Sequence, residues 1–192
     1  KDNMDVAGCP TSAGCPDFTY QAKTHAHVVE LLLSAGAILI GKTNMDQFAT
    51  GLVGTRSPYG VPGNAFDPHF IPGGSSSGSA VAMAKGLVSF SLGTDTAGSG
   101  RVPASFNNLL GYKPTRGKLS NRGIIPACRT LDCVSVFALQ VKDIAEILSV
   151  LEKWDPLDPF SRQGKDRASC SLADTPKVAL LSDDQLDFFG DS

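Results

Sequence analysis

Pro72-Gly73-Gly74-Ser75-Ser76-Ser77-Gly78-Ser79 runs directly into Ala80-Val81-Ala82-Met83-Ala84-Lys85, then Gly86, then Val88-Ser89-Phe90-Ser91-Leu92, and ends in Gly93-Thr94-Asp95-Thr96-Ala97-Gly98-Ser99-Gly100-Arg101. The order predicts a loop of small residues, a helix over 80–85 closed by Gly86, a strand over 88–92 and a second loop of small residues. Upstream, Thr24 can cap a helix carrying Val28, Val29, Leu31 and Leu32, which Gly36 stops before an apolar strand over Ala37–Ile40. Two helix-strand units in succession indicate an α/β fold. Downstream, short strands are expected near Leu110–Lys113 and Val134–Leu139, then a helix from about Asp143 to Lys153 with Ile144, Ile147, Leu148 and Leu151 on one side. Trp154–Asp174, with three prolines and a charged tract, reads as a surface loop, and Val178–Leu181 as a further strand-like run.

Composition narrows the function. With 192 residues, a compact fold would bury roughly 70% of the unfolded surface. A net charge of -2, from 17 basic and 19 acidic side chains, offers no field for nucleic acid or membrane, so a small-molecule partner is expected. No apolar run approaches the ~20 residues needed to cross a bilayer, and there is no signal-peptide pattern. Five cysteines (9, 15, 128, 133 and 170) form an odd set with no C-x-x-C spacing, which argues against a disulfide framework or a zinc site and fits a cytoplasmic setting. The chain opens on Lys1 rather than Met and ends in Phe188-Phe189-Gly190-Asp191-Ser192 just after a strand-like run. It is therefore expected to be one partial domain, 1–192, truncated at both ends.

Small-residue loops beside strand and helix ends can aim successive backbone N–H groups into a concavity, where they stabilise negative charge. A phosphate loop needs Gly-x-x-x-x-Gly-Lys-[Ser/Thr], and neither loop has that lysine. Flexible linkers would not sit between strongly apolar elements. Gly74-Ser75-Ser76-Ser77-Gly78 satisfies the Gly-x-Ser-x-Gly elbow, with Ser76 as nucleophile, but that fold needs a downstream histidine and His25, His27 and His69 all lie upstream. A serine nucleophile here needs another base, and lysine is the known substitute.

At this point the chain resembles the amidase signature family. The resemblance is carried by Lys1-Asp2-Asn3-Met4-Asp5-Val6-Ala7-Gly8, Gly41-Lys42-Thr43-Asn44-Met45-Asp46-Gln47-Phe48-Ala49, Gly73 to Ala80 and Gly93 to Arg101, in the family's order. It implies a mixed β-sheet flanked by helices on both faces, and a Ser-Ser-Lys triad of Lys1, Ser75 and Ser99. The runs Gly51–Gly60, Asn64–Pro72 and Pro126–Val134, and Gly-Gly-Ser-Ser-Ser-Gly where other branches usually carry Gly-Gly-Ser-Ser-Gly-Gly, are similar to the branch that hydrolyses allophanate. A glutamine-dependent amidotransferase component, a broad amidase and a catalytically incomplete piece with Lys1 far from Ser75 are the alternatives.

The resemblance further implies that Ser99 attacks the terminal amide carbonyl, that Ser75 relays the proton to Lys1, and that N–H groups of Thr96, Ala97, Gly98 and Ser99 form the oxyanion hole. It also implies a cis peptide bond between Gly74 and Ser75, with Gly73 and Gly74 clearing side chains from that turn. Lys1 must be neutral to accept a proton, and lowering its pKa by ~3 units from about 10.4 amounts to about 4 kcal/mol. Asp95 and Arg101 are read as a pair that fixes the loop, the alternative being Arg101 on the substrate carboxylate; Ser76 belongs to the same loop framework. The family's carboxylate-binding residues are expected beyond Ser192. No cofactor or metal is called for; a homodimer and a functional link to a urea carboxylase are the expected associations. His25 and His27 are expected to face solvent, Cys128 and Cys133 to be buried packing thiols, and Asn44, Met45 and Asp46 to be structural.

Overall fold

The computed structural model describes residues 1–163, 175–180 and 182. A small antiparallel hairpin, β1 (Pro10–Thr11) with β2 (Tyr20–Gln21), precedes helix α1 (His27–Ser34). Helix α2 (Ser77–Ala84) leads to β3 (Ser91–Asp95), then helix α3 (Arg101–Phe106), β4 (Leu110–Tyr112), β5 (Cys133–Ala138) and helix α4 (Val141–Leu151). β5 lies between β3 and β4, antiparallel to both, with Gly93 opposite Ser135 and Gly111 opposite Phe137.

β5 organises the molecule because all six of its residues are buried, as expected of a strand covered on both faces. Val134, Val136 and Ala138 join Val28, Val29, Ile144, Ile147 and Leu151 beneath α1 and α4. Phe137 points the other way, to Ala80 and Met83 of α2 and Ala104 of α3. Period-2 alternation of one strand thus feeds two helical layers, and helices cover both faces. Close packing on the second face forbids side chains at two glycines. A Cβ on Gly93 would stand 2.6 Å from Ser76 Oγ and 2.7 Å from the Phe137 ring, and one on Gly111 would stand 2.5 Å from Ala104 Cβ.

Several expectations shift. The first helix begins after Ala26, not at Thr24, and no side chain caps it. The strand expected over 37–40 is unpaired among the described residues, leaving Ile38 and Ile40 well exposed; apolarity alone supplies no ladder partner. β3 starts three residues later than its apolar run because its register is set by β5, which places Thr94 and Asp95 inside the strand. α2 begins earlier, at Ser77. α3, for which the sequence reading names no element, contains Pro103, and in the first turn of a helix the missing N–H costs no intrahelical bond. Val178–Leu180 carries no strand, and expectations about Cys170, the charged tract after Gln163 and residues 188–192 fall outside the described residues. No helix among the described residues is long and apolar enough to cross a membrane.

Candidate active site

The first four residues are laced to three parts of the chain. Lys1 N donates to Leu92 O, Asp2 N to Thr43 O, and Ile125 N to Asn3 O, while Met4 pairs with Ile124. This seats the Lys1 side chain beside β3, where it is buried to 7% exposure. Its Nζ lies 2.7 Å from Ser75 Oγ, 2.7 Å from Thr94 Oγ1 and 3.4 Å from Thr94 O. Burial lowers its pKa from 10.5 to about 7, although the negative charges of Asp46, Asp95 and Asp132 pull it back up. Lys1 therefore lies within hydrogen-bond reach of Ser75, not far from it as the incomplete-piece alternative expects.

Ser75 is fully buried and follows a cis peptide bond from Gly74. The preceding glycines are demanded by sterics. A Cβ on Gly74 would lie 2.1 Å from Asp46 Oδ2, and Gly73, at φ +72°, has Pro103 Cα where its Cβ would go. Asp46, itself fully buried, accepts from Gly54 N and Arg56 N and so fixes the segment that covers this turn. Ser76 bridges the two loops: its Oγ donates to Thr94 O at 3.2 Å and its N–H to Ser99 O at 3.3 Å. Asn44 ties down Ser57 and Gly60, in keeping with a structural role for that motif.

Ser99 is buried to 4% exposure, and its Oγ lies 3.5 Å from Gly51 O. No hydrogen bond joins its side chain to Ser75 among the described residues. Asp95 shapes the loop that carries it. Oδ1 accepts from Gly98 N and Arg101 Nη2, and Oδ2 from Gly100 N, Arg101 N and Arg101 Nε, all between 2.8 and 3.1 Å. Burial would raise the Asp95 pKa, but these donors outweigh it and hold the carboxyl below the usual range. Of the four N–H groups expected in an oxyanion hole, that of Gly98 is thus committed to Asp95, whereas those of Thr96, Ala97 and Ser99 have no acceptor among the described residues. Ala97 is exposed, which leaves the loop open to an incoming ligand.

Because Asp95 is fully buried while half of the Arg101 side chain reaches solvent, Asp95→Asn leaves an arginine that water can solvate. The expected loss is about 1–3 kcal/mol of stability, read from urea denaturation, with a larger loss of turnover as the 96–100 loop relaxes. The wild-type contribution is present above the unfolded-state pKa of the aspartate and fades as pH falls through its depressed folded-state value.

Three participants carry no mark in the sequence that sets them apart. Thr94 and Asn3 lie inside the quoted motifs; Asn3 Nδ2 donates to Thr94 Oγ1 and to Ile125 O, each at 3.2 Å. Asp132 accepts from Thr96 Oγ1 at 2.5 Å and from Ala127 N and Cys128 N at 3.0 Å, and so fastens the 126–132 loop to the loop that carries Ser99. Two other expectations are corrected. Cys128 is exposed; Cys133 alone of that pair is buried, with its thiol pKa pushed up by that burial. His25 accepts from Ala7 N, and His27 packs against Arg122 and Asp155, so neither simply faces solvent.

A protein-family model described as Amidase matches residues 1–188. Urea amidolyase from Saccharomyces cerevisiae is 57% identical over 163 residues, which is 84% of this chain and 9% of that protein. The A subunit of glutamyl-tRNA(Gln) amidotransferase from Methanosarcina mazei is 41% identical over 192 residues, the whole of this chain and 40% of that protein. Among solved structures, Kluyveromyces lactis allophanate hydrolase superposes with a TM-score of 0.84 at 58% identity, covering 85% of this chain and 27% of that one. The chain thus spans between about a tenth and two fifths of the length of these proteins.

Proposed function

The chain belongs to the amidase signature family, and from that membership we propose that the intact protein is an amide hydrolase acting on allophanate through a Lys1–Ser75–Ser99 triad. The observation that carries the triad is the 2.7 Å contact between a buried lysine amine and a buried serine hydroxyl, in a fold where Ser75 and Ser99 lie on adjoining loops. A lysine with a pKa near 7 is partly neutral at physiological pH and so can take a proton.

In the reaction, Ser99 Oγ bonds to the terminal amide carbonyl carbon while its proton passes to Ser75 Oγ and the Ser75 proton passes to Lys1 Nζ. The carbonyl oxygen becomes an oxyanion held by N–H groups of Thr96, Ala97 and Ser99, with Gly98 joining if Asp95 yields its bond. Collapse breaks the C–N bond, the leaving nitrogen takes the proton back from Lys1 by way of Ser75, and ammonia departs. Water then repeats the sequence on the acyl-serine. The released product decomposes to carbon dioxide and ammonia.

Identity to proteins named urea amidolyase, and likeness to one named allophanate hydrolase, support allophanate as substrate and a functional link to a urea carboxylase. A cytoplasmic site of action suits four free cysteines among the described residues. A second reading, glutamine hydrolysis for amidotransfer, is favoured by the M. mazei relative, which aligns along the whole chain. Ammonia release distinguishes them: the intact protein is expected to turn over allophanate at least ~100-fold more efficiently than glutamine, about 2.7 kcal/mol of discrimination. Preference for glutamine would reverse the order of the two readings.

A further inference from the structure

Lys1 Nζ sits in a cradle with two walls, and the proposed triad uses only one of them. Ser75 Oγ is the first wall; the second is Thr94, whose hydroxyl is as close, at 2.7 Å, and whose carbonyl lies at 3.4 Å. Thr94 is 3% exposed, and its backbone is clamped by β5 on one side and by Ser76 Oγ on the other. Its hydroxyl is in turn addressed by Asn3 Nδ2. The orientation of that amide is settled by Ile125 O, which lies 3.2 Å from Nδ2 and can only accept. Asn3 therefore presents a donor to Thr94 and leaves Oδ1 buried without a partner among the described residues, a cost that suits a positioning role.

We propose that Thr94, oriented by Asn3, is a positioning residue that holds the Lys1 amine against Ser75 and steers its lone pair toward the Ser75 hydroxyl. In the ammonium form the three protons of Nζ find the three oxygens Ser75 Oγ, Thr94 Oγ1 and Thr94 O. In the neutral form one proton is gone. The lone pair cannot usefully face the carbonyl, which has no proton to give. With both Thr94 oxygens accepting the two remaining N–H groups, the lone pair is left facing Ser75. Asn3 supports this arrangement by filling the other acceptor position of the Thr94 hydroxyl. Without the hydroxyl, the amine is free to rotate and the ammonium form loses one of its acceptors.

The role of Thr94 rests on the triad reading, and one measurement separates the two. The rate at which a fluorophosphonate probe labels Ser99 is measured against pH in the intact protein, for wild type, Thr94→Val, Thr94→Ser and Ser99→Ala. This readout does not depend on which amide is the substrate. For Thr94→Val the plateau labelling rate is expected to fall about 10- to 100-fold, and its acid limb to move about one pH unit lower, because the ammonium form has lost an acceptor. Thr94→Ser, which keeps the hydroxyl, should return to within about threefold of wild type and restore the limb. A merely structural role for Thr94 would leave the limb in place. Thr94→Val labelling within twofold of wild type, with an unmoved limb, would overturn the role of Thr94 and leave the triad standing. Wild-type labelling no faster than that of Ser99→Ala would overturn both.

Discussion

Ser99→Ala in the intact protein is expected to cut allophanate turnover by on the order of 10^5- to 10^6-fold, with the melting temperature within about 2 °C of wild type. Both halves of that expectation follow from the site. The one contact of the Ser99 hydroxyl among the described residues is a long 3.5 Å approach to Gly51 O, so it contributes almost nothing to the fold. The backbone of residue 99 is what the framework uses: its carbonyl receives the Ser76 N–H, and that survives the substitution. Loss of the acyl-enzyme route while the loop keeps its shape leaves only the oxyanion donors to polarise the carbonyl, worth about 10^3-fold over water in comparable enzymes. Steady-state ammonia release and a thermal melt on the same preparation decide the matter. Turnover within tenfold of wild type would remove Ser99 as nucleophile.

Lys1→Met should be nearly as damaging to catalysis, about 10^3- to 10^4-fold in kcat, but with a different signature. Activity of the wild type is expected to rise with pH through about 7, as the buried ammonium gives up its proton and becomes a base. In the methionine variant the residual rate should lose that limb. Stability moves the opposite way from intuition. A lysine whose pKa falls on folding destabilises the folded state in full below its folded value, and that penalty is relieved as pH rises toward the point where the unfolded chain loses the same proton, so wild-type stability rises between about pH 7 and the unfolded value of 10.5. At pH 6, where wild type must bury the charge, Lys1→Met should melt no lower than wild type. A retained limb near pH 7 in that variant would assign the titration to another group and displace Lys1 as base.

How far the sequence leads can be judged residue by residue. Ser75 and Ser99 stand out because loops of small residues between apolar elements have few uses, and the elbow alternative needs a histidine downstream of Ser76, whereas His25, His27 and His69 all lie upstream. Asp95 and Arg101 are legible as a pair because they flank a short turn, six positions apart. Lysine as base is a different matter: nothing in the spacing of Lys1 from Ser75 implies contact across 74 residues, and only the resemblance to a family suggests it. Thr94 and Asn3 are hidden for a related reason. Their roles depend on which side of a strand faces a distant amine, and that side is set by the register of β3 against β5, which local apolarity does not report. Residues 37–40 show the converse failure, since an apolar run states a preference for burial without naming a partner. α3 is illegible because Pro103 reads as a breaker, yet it occupies the one turn where proline is tolerated.

The long reach of Lys1 also bears on when Ser99, as the proposed nucleophile, gains its base. During synthesis, Thr94 follows Lys1 by 93 residues, on the order of 5–20 s at typical elongation rates. Ser75 and Ser99 sit only 24 positions apart and their loops can meet early, but a serine without its base is no more reactive than any surface hydroxyl. Closing the chain back onto Lys1 requires β3 to be in place, because Leu92 and Thr94 supply the docking atoms. In the proposed triad, reactivity is thus contingent on the docking of Lys1 against β3: a chain in which Leu92 and Thr94 have not met Lys1 carries the serine but leaves it without its base.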